Sequence, residues 1–453
     1  AHVQSRFTDY KENGDGVVCG YATIQSQKVI LIIQHGNYKA GTMGEAHCLK
    51  MARAVEKATS LKIPIIAIFE SAGVRIQEGI HAMNPAGLLF SNIAKASGQI
   101  PTIAILLGAN SGAAAYSASL MDFTILENSK SALFLTGPKV IEKVLNEKID
   151  IQSLGGSVIH AQTTGLASVL VDNEAAAYEQ AKKLLSFLMQ DTIIKQARKS
   201  DIHPQKIPAT YNFCDAKDAD MHDLINDLFD ENSFLEINKL YAKNCIVGFA
   251  TINNIKTGIV ANQPNVMSGS IDVAASKKMH RFLQICDAYH VPVIFLADTP
   301  GFLPGKQEEH AAILGIGARI LSVLANSTNI KITIIVGKAF GGAYGAMCPK
   351  TLGADYVFAW NTAQIGVVGV EAAMHLIYAK QIEANNHDEI FIQKLKEDYI
   401  NESLSPYIAA EAGLIDGIIS SDETRKIIIK CLNSLQDKPI KNSDKKRTIL
   451  PMG

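Results

Sequence analysis

The chain has 453 residues, 47% of them hydrophobic and 19% charged, a balance typical of a globular protein with two or three domains. Its formal net charge of −1 gives no global field that would favour nucleic acid or an anionic membrane. No apolar run reaches the roughly 20 residues of a membrane span, and we expect no signal peptide before the first globular pattern. Seven cysteines without a CxxC pair favour a reducing compartment, and we expect a cytoplasmic protein.

The two halves of the sequence repeat each other at an offset of 228 residues. Four landmarks at one offset indicate an internal duplication. The matched pairs are Gly20–Ile24 with Gly248–Ile252, Pro64 with Pro292, Ser71-Ala72-Gly73 with Thr299-Pro300-Gly301, and Ala115-Tyr116 with Ala343-Tyr344.

The offset grows towards the end of each half. Gly165-Leu166 matches Gly413-Leu414 at 248 residues. We therefore predict an insertion of about twenty residues in the second half, in the region from Lys380 to Asn401.

Each half is predicted to contain the same alternation of strands and helices. Short apolar runs alternate with longer helical patterns, which predicts an α/β fold with mostly parallel strands. The predicted strand, helix, strand and later strand are 29–34, 44–61, 63–69 and 102–107 in the first half, and 257–261, 272–289, 291–298 and 331–336 in the second.

A polar segment, residues 191–216, breaks this alternation and contains Pro204 and Pro208. We predict that it links an N-terminal half, residues 1–190, to a C-terminal half, residues 217–453.

Two segments of small residues, 108–116 and 338–345, each follow a buried strand directly. A strand-to-helix turn of Gly and Ala leaves backbone N–H groups open at the positive end of a helix, which suits an oxyanion. The alternative is that these glycines only permit close packing of helix on strand. The occurrence of two such segments at equivalent places of a duplication favours the functional interpretation.

Other polar positions give weaker indications. The segment Glu70–Gly73 ends a buried strand and either lines a site or is an ordinary loop entry. Glu308, Glu309 and His310 are expected to be a solvated helix start rather than a metal site, and His160 and Gln162 to be loop residues. The sequence has no GxSxG elbow, Walker loop, GxGxxG after the first strand or HExxH, and we expect no metal.

Several motifs resemble the β (carboxyltransferase) subunits of biotin-dependent acyl-CoA carboxylases, and the resemblance extends over nearly the whole chain. Methylmalonyl-CoA decarboxylase α subunits and the transcarboxylase large subunit share them. The resemblance implies two tandem crotonase-like domains of the ClpP/crotonase type. The motifs are Gly14–Val18, Ser71–Gly79 and Thr136–Pro138 in the first half, and Val260–Pro264, Asp298–Gly305, Lys338–Tyr344 and Thr362–Ile365 in the second.

This resemblance implies that a carboxyl group moves between carboxybiotin and the α-carbon of a short acyl-CoA, with propionyl-CoA or acetyl-CoA expected. Enolate charge would develop on the thioester and on biotin, and each needs amide donors. By position, Gly112 and Ala113 would hold the thioester oxygen, and Gly342 and Ala343 the biotin ureido oxygen. The implied acyl-CoA contacts are Ala72, Gly73, Arg75, Tyr116 and Gly345; the implied biotin contacts are Phe340, Gly341, Tyr344, Pro300 and Gly301.

The sequence also departs from the family pattern. Ala113 and Ala72 stand where relatives usually carry glycine, and the helical segment that usually precedes the Gly-Asp-Gly opening is nearly absent. Gly345 has no side chain where relatives often carry one beside the acyl group. It either makes room for chains longer than acetyl or lets helices pack closely.

No Ala-Met-Lys-Met biotinylation site and no ATP-grasp pattern occur in the sequence. The resemblance therefore implies a biotin carboxylase and a biotin carrier subunit as partners, and a homodimer that multiplies into a hexamer. Three alternatives stay open: a biotin-dependent decarboxylase subunit acting on malonyl-CoA or methylmalonyl-CoA, a crotonase-like hydratase or hydrolase, and a non-catalytic scaffold subunit.

Overall fold

The computed structural model describes residues 14–189, 213–214 and 219–439. The chain divides into two compact units. Unit 1 comprises Ala1–Met189 with Asn238–Tyr241, and unit 2 comprises Gln190–Ile237 with Ala242–Gly453. Apart from Phe213 and Cys214, the predicted linker 191–216 lies outside the described residues. Within the described ranges, no helix is both long enough and apolar enough to span a membrane.

Unit 1 is built on a mixed sheet with the strand order β1-β2-β3-β4-β5-β7, in which β6 also pairs with β4. Strands β1 and β2 are antiparallel, and the other pairs are parallel. The elements are β1 (Val17–Ile24), β2 (Gln27–Gln34), α1 (Glu45–Leu61), β3 (Ile65–Ser71), α2 (Ile80–Ala96), β4 (Thr102–Ser111), α3 (Ala113–Ser119), β5 (Phe123–Glu127), β6 (Ala132–Phe134), α4 (Pro138–Leu145), α5 (Ile151–Gly155), α6 (Ser157–Ile159), β7 (Val169–Val171) and α7 (Glu174–Leu188).

Unit 2 repeats this plan, with the strand order β15-β13-β12-β11-β10-β9-β8 and β14 paired to β12. Its elements are α8 (Met221–Leu228), β8 (Leu235–Ile237), β9 (Cys245–Ile252), β10 (Ile255–Asn262), α9 (Val273–Ala288), β11 (Val293–Thr299), α10 (Lys306–His310), α11 (Ile313–Asn326), β12 (Lys331–Phe340), α12 (Gly341–Ala346), β13 (Tyr356–Trp360), β14 (Gln364–Gly366), α13 (Val370–Leu376), α14 (Ala379–Ala384), α15 (Glu389–Tyr399), α16 (Pro406–Glu411), β15 (Gly417–Ile419) and α17 (Thr424–Ser434).

The predicted α/β class with mostly parallel strands is confirmed. The sequence analysis missed β1 and β9, which form antiparallel hairpins with β2 and β10. Strand β1 is an edge strand of its sheet and leaves Val18 and Tyr21 each 64% exposed. Its apolar residues therefore do not follow the alternation expected of a half-buried strand. The central strands β3 and β4 have both faces covered, and so they read as continuous apolar runs.

In the early part of each unit, equivalent residues form equivalent hydrogen bonds. In unit 1 the Gln34 side chain accepts a bond from the Glu70 N–H at 3.2 Å, and in unit 2 the Asn262 side chain accepts one from the Asp298 N–H at 3.1 Å. Both pairs are related by the offset of 228, which supports the predicted duplication at the level of individual contacts.

Beyond β3 and β11 the structural offset is 229 rather than 228. Ile65 pairs with Thr102, and its equivalent Val293 pairs with Lys331. The sequence match of Ala115-Tyr116 with Ala343-Tyr344 is therefore one residue out of structural register.

The predicted insertion is largely confirmed. The offset is 232 where Ala109 pairs with Ala132 and Lys338 pairs with Gln364, and it is 248 at β15. Most of the additional residues therefore lie between β14 and β15, the stretch that contains the predicted region and holds α14 and α15, and the few others lie in earlier connections.

Candidate active site

The two segments of small residues form the same turn in both units. Strand β4 ends at Ser111 and α3 begins at Ala113, with Gly112 between them at φ +53°. Strand β12 ends at Phe340, and Gly341 follows, also at φ +53°. Residues other than glycine rarely adopt this backbone conformation. Gly112 and Gly341 are therefore structural equivalents, as are Ala113 and Gly342.

The first amides of α3 follow closely after the end of strand β4. The helical ladder starts with the Tyr116 N–H, which donates to the Gly112 carbonyl at 3.0 Å, so the N–H groups of Ala113 to Ala115 precede it. The Gly112 N–H, by contrast, donates to the Phe134 carbonyl at 3.0 Å. Of the two predicted thioester donors, Gly112 is already bonded, whereas the Ala113 N–H lies in the first turn of the helix, ahead of the ladder.

A cleft of about 690 Å³ opens in unit 1 beside this turn. Its floor is formed by the ends of the parallel strands β3, β4 and β6, the edge where ligands bind in open α/β sheets. The sequence-predicted Ala72 lines the cleft, and so does Pro138 of the Thr136–Pro138 motif. Sequence reasoning missed the wall formed by residues 149–152, at the start of α5, because no motif marks that segment.

The loop after β3 has a fixed path along this cleft. The Ala72 N–H donates to the Ala40 carbonyl at 3.1 Å, so this amide is held by the fold. Gly73 has φ +91°, and a side chain there would bring its Cβ to 2.9 Å from the Ser111 carbonyl oxygen. A glycine is therefore required at position 73, where the loop approaches the end of β4.

Arg75 is not placed to touch acyl-CoA directly, contrary to the expectation from the resemblance. Its side chain is 5% exposed and forms ion pairs with Asp15 at 2.7 Å and Glu78 at 2.6 Å. A guanidinium enclosed by two carboxylates cannot reach a ligand in the cleft without breaking these pairs.

Tyr116 is placed on the surface of unit 1. It is 51% exposed and packs edge-on against Phe90, with ring centroids 6.0 Å apart. It therefore remains a candidate for contact with the acyl-CoA substrate.

The surroundings of Gly345 differ from those expected of a residue beside the acyl chain. A Cβ at this position would lie 3.5 Å from Leu321 and 3.6 Å from Leu352, which are ordinary packing distances. Position 345 therefore faces neighbouring side chains of unit 2, and the geometry favours the helix-packing interpretation.

The predicted biotin contacts are partly open and partly buried. Gly341, Gly342 and Pro300 are exposed. Phe340 is only 4% exposed and belongs to a core cluster with Met374 and Leu404, so its ring is not available for direct contact.

The remaining predicted residues on this side lie near the same turn. Gly301 accepts a bond from the Ile271 N–H at 3.0 Å, and a Cβ on Gly301 would meet no atom within 4 Å. Tyr344 is partly buried, which raises the pKa of its hydroxyl. Ala343 is fully buried, so only its backbone could take part in chemistry.

Asp298 begins one of the motifs found in the sequence, but the sequence analysis gave it no role in the site. Its buried carboxylate accepts a bond from the Lys338 N–H at 2.8 Å, just before the Gly341 turn. Burial raises the pKa of this carboxyl, partly opposed by the Lys338 N–H and charge. A signal was present, since an acidic residue at the end of an apolar strand has to find a partner.

The weaker polar positions have structural roles. Glu308 caps α9 by accepting a bond from the Val273 N–H at 2.8 Å, so it is more than a solvated helix start. His160 lies in a π-helical turn and its Nε2 is bonded to the Leu133 carbonyl at 2.8 Å. Among the described residues, no group of three or more His, Cys, Asp or Glu could hold a metal ion.

Both units thus present a glycine turn between a parallel strand and a helix, which is the design of enzymes that stabilise an enolate with backbone amides. The carboxyl transferase domain model matches residues 1–450. The chain belongs to the carboxyl transferase family and consists of two crotonase-like units in tandem.

Individual relatives agree over most of the chain. The propionyl-CoA carboxylase carboxyltransferase subunit of Haloferax mediterranei is 35% identical over 444 residues, covering 97% of this chain and 86% of that protein. Methylmalonyl-CoA decarboxylase subunit alpha of Propionigenium modestum is 34% identical over 462 residues, covering 100% and 89%. The solved transcarboxylase 12S hexamer with methylmalonyl-CoA and methylmalonic acid bound matches with a TM-score of 0.90, 36% identity and coverage of 97% and 85%.

Proposed function

We propose that this protein transfers a carboxyl group between carboxybiotin, carried by a separate protein, and the α-carbon of a short acyl-CoA such as propionyl-CoA or acetyl-CoA. This proposal rests on the repeated turn. Gly112 and Gly341 each lie at the start of a short helix, and the first N–H groups of that helix come before its first intrahelical hydrogen bond. A single amide site would serve one developing charge, whereas two equivalent sites suit a reaction with two.

The proposed carboxyl transfer depends on backbone amides more than on side chains. Removing the α-proton of an acyl-CoA places negative charge on the thioester oxygen, and a biotin nitrogen that loses its carboxyl group places charge on the ureido oxygen. Amides held in position stabilise such charges without having to reorganise, and loss of one donor raises the barrier by roughly 2.7–4 kcal/mol. Ala113 in unit 1 and Gly342 in unit 2 are the donors we assign.

We assign the acyl-CoA to unit 1. Its cleft of about 690 Å³ lies within the range of roughly 300–1,000 Å³ that small-molecule sites occupy, and it is adjacent to the Ala113 turn through Ser111. Ala72 and Phe134 line it with apolar surface, which suits a pantetheine arm and a short acyl chain.

We assign biotin to unit 2. Gly341 and Gly342 have no side chains and are exposed, so a planar ureido ring could approach their backbone closely. Pro300, also exposed, follows the neighbouring strand β11.

A second candidate is the carboxyltransferase component of a decarboxylase. The relative from Propionigenium modestum favours it, because it is a methylmalonyl-CoA decarboxylase subunit with similar coverage of the chain. Both functions share one half-reaction, in which the carboxyl group leaves the acyl-CoA and joins biotin. They differ in the partner that then consumes carboxybiotin.

We infer further that the partners are a biotin carboxylase and a biotin carrier subunit, and that the chain forms a homodimer that assembles into a hexamer. The hexamer of the transcarboxylase 12S relative supports this inference. The buried cysteines are free thiols, which supports a reducing compartment such as the cytoplasm; they are Cys48, Cys245, Cys286, Cys348 and Cys431.

The half-reaction provides the test. Malonyl-CoA or methylmalonyl-CoA is incubated with the purified chain and free biotin, and formation of acetyl-CoA or propionyl-CoA is followed. We expect turnover that saturates with biotin. Formation of these products equally fast without biotin would indicate a biotin-independent decarboxylase. Release of free CoA or hydration of an enoyl-CoA would instead place the chain among crotonase-like hydrolases or hydratases, and failure to bind any CoA ester would indicate a scaffold subunit.

A further inference from the structure

Unit 1 contains three buried charged side chains that its amide chemistry does not use. Arg75 lies between Asp15 and Glu78, with Nη1 2.7 Å from Oδ1 of Asp15 and 2.6 Å from Oε1 of Glu78. The three side chains are between 3% and 5% exposed. We call Asp15, Arg75 and Glu78 the buried triad. Burying charges is costly unless all their hydrogen-bonding atoms are satisfied, so such a set requires an explanation.

The remaining atoms of the triad bond to the backbone around the start of α1. The guanidinium also donates to the Thr42 carbonyl at 2.7 Å. Oε2 of Glu78 accepts from the Glu45 N–H at 2.6 Å, and Oδ2 of Asp15 accepts from the His47 N–H at 3.0 Å. Both carboxylates therefore cap the positive end of α1, and the triad joins three separate chain segments.

One of these segments is the wall of the acyl-CoA cleft. The Arg75 N–H donates to the Met43 carbonyl at 3.0 Å, and the Met43 N–H donates to the Gly73 carbonyl at 2.8 Å. Gly73 follows Ala72, which lines the cleft. A shift of the Arg75 side chain would therefore be passed to the cleft wall through two backbone bonds.

Unit 2 allows a comparison, because it forms the equivalent loop without an equivalent of the buried triad. The same loop exists there, with the Ile271 N–H donating to Gly301 at 3.0 Å and the Leu303 N–H to Ile271 at 2.9 Å. The positions equivalent to Asp15, Arg75 and Glu78 are Lys243, Leu303 and Lys306, which cannot form ion pairs with one another. A carboxylate cap recurs in unit 2, where Glu308 accepts a bond from the Val273 N–H at 2.8 Å as Glu78 does from the Glu45 N–H in unit 1. Among the described residues, the arginine between two carboxylates is thus the feature of unit 1 that unit 2 does not repeat at the equivalent positions.

Gly44 provides the space for this arginine. It has φ −86°, which any residue can adopt, so its lack of a side chain is not a backbone requirement. A Cβ at position 44 would overlap Nη1 of Arg75 and lie 2.6 Å from Oε1 of Glu78. The equivalent position in unit 2 is Asp272, which does carry a side chain.

We propose that Arg75 is a positioning residue that, through the buried triad, holds the Ser71–Gly73 wall in place for the acyl-CoA substrate. This inference rests on the proposed assignment of acyl-CoA to unit 1. It predicts that disturbing the triad impairs the use of acyl-CoA and leaves the use of biotin unchanged, because biotin is assigned to unit 2.

Two variants disturb the triad by different means. Glu78→Gln removes one charge at nearly constant shape, and Gly44→Ala inserts a methyl group between Arg75 and Glu78. The matched control is Gly87→Ala in α2, where a Cβ meets no atom within 4 Å. Arg75→Lys keeps the charge but loses the fork geometry, and we expect an intermediate effect.

The readout is steady-state transfer from malonyl-CoA or methylmalonyl-CoA to free biotin, with the KM of each substrate determined separately. We expect kcat/KM for the acyl-CoA to fall roughly tenfold or more in Glu78→Gln and Gly44→Ala, since misplacement by about 1 Å can cost on the order of 100-fold. The KM for biotin and all constants of Gly87→Ala should match those of the wild type.

Binding of the acyl-CoA is measured in parallel by calorimetry, so that the proposal can be judged apart from the transfer reaction. If the wild type binds acyl-CoA but transfers nothing to biotin, the proposed function fails, while weaker binding in the triad variants would still support positioning. Unchanged acyl-CoA constants in both folded variants, or an equal loss for biotin, would overturn the positioning role. Loss of the fold in both variants would assign the triad to stability and would overturn it as well.

Discussion

Ala113 and Gly342 occupy equivalent positions in the two units, each directly after a glycine with φ +53° that follows a parallel strand. Their N–H groups lie at the start of helices α3 and α12. Proline at either position removes the N–H while its ring fits the first turn of a helix. We predict that Ala113→Pro and Gly342→Pro each lower kcat for carboxyl transfer on the order of 100- to 1,000-fold with the fold retained.

The matched control is replacement of the same residues by another small amino acid that keeps the N–H, namely Ala113→Gly and Gly342→Ala. These variants should retain most of the transfer activity. Circular dichroism confirms the fold, and normal transfer to biotin by a folded Gly342→Pro enzyme would remove Gly342 from the site.

The acyl-chain preference should be insensitive to a small side chain at position 345. A Cβ on Gly345 would make ordinary contacts with Leu321 and Leu352, so Gly345→Ala should fold normally. Replacing a helical glycine by alanine stabilises by up to about 1 kcal/mol. We predict unchanged ratios of kcat/KM for acetyl-, propionyl- and butyryl-CoA, whereas a changed ratio in the folded variant would restore position 345 as a reader of the acyl chain.

The buried His47 should make the stability of the chain sensitive to acid. Burial lowers the pKa of this imidazole from 6.5 to about 4, with the bond from its Nδ1 to the Asp15 carbonyl opposing the shift. Between these two values the unfolded chain binds more protons than the folded one. The free energy of unfolding should therefore fall as the pH drops from 6.5 towards 4, by about 3 kcal/mol at most.

Urea denaturation at a series of pH values checks this expectation. His47→Gln should flatten the pH dependence in that window, and His375→Gln, on the exposed surface of α13, should leave it unchanged. Parallel pH profiles for the wild type and His47→Gln would show that another group is responsible.

Assembly is testable by light scattering. Helix α4 carries Val144 at 72% and Leu145 at 66% exposure, more apolar surface than a helix usually leaves to water. We predict a mass that is a multiple of 48.9 kDa, a dimer or a hexamer. We also expect Val144→Asp to shift the mass towards the monomer and to lower activity, whereas a fully active wild-type monomer would contradict the proposed assembly.

The sequence alone was sufficient to find the duplication, the α/β class and the two glycine turns. The apolar runs identified strands β3 and β4, because both of their faces are covered and most of their positions are therefore apolar. Gly112 and Gly341 were found because a strand-to-helix turn with positive φ admits little other than glycine. These signals are local, because each depends only on residues that are neighbours in the sequence.

Only the tertiary structure decided which groups are free to act. The Gly112 N–H is taken by Phe134, the Phe340 ring is in the core, and Arg75 is enclosed by Asp15 and Glu78. Each of these facts depends on a partner brought close by folding: Asp15 lies 60 positions from Arg75 along the chain. The sequence determined which residue types stand at each strand end, whereas the packing of distant segments determined whether they are open to a ligand, because burial and pairing depend on contacts between residues far apart in the chain.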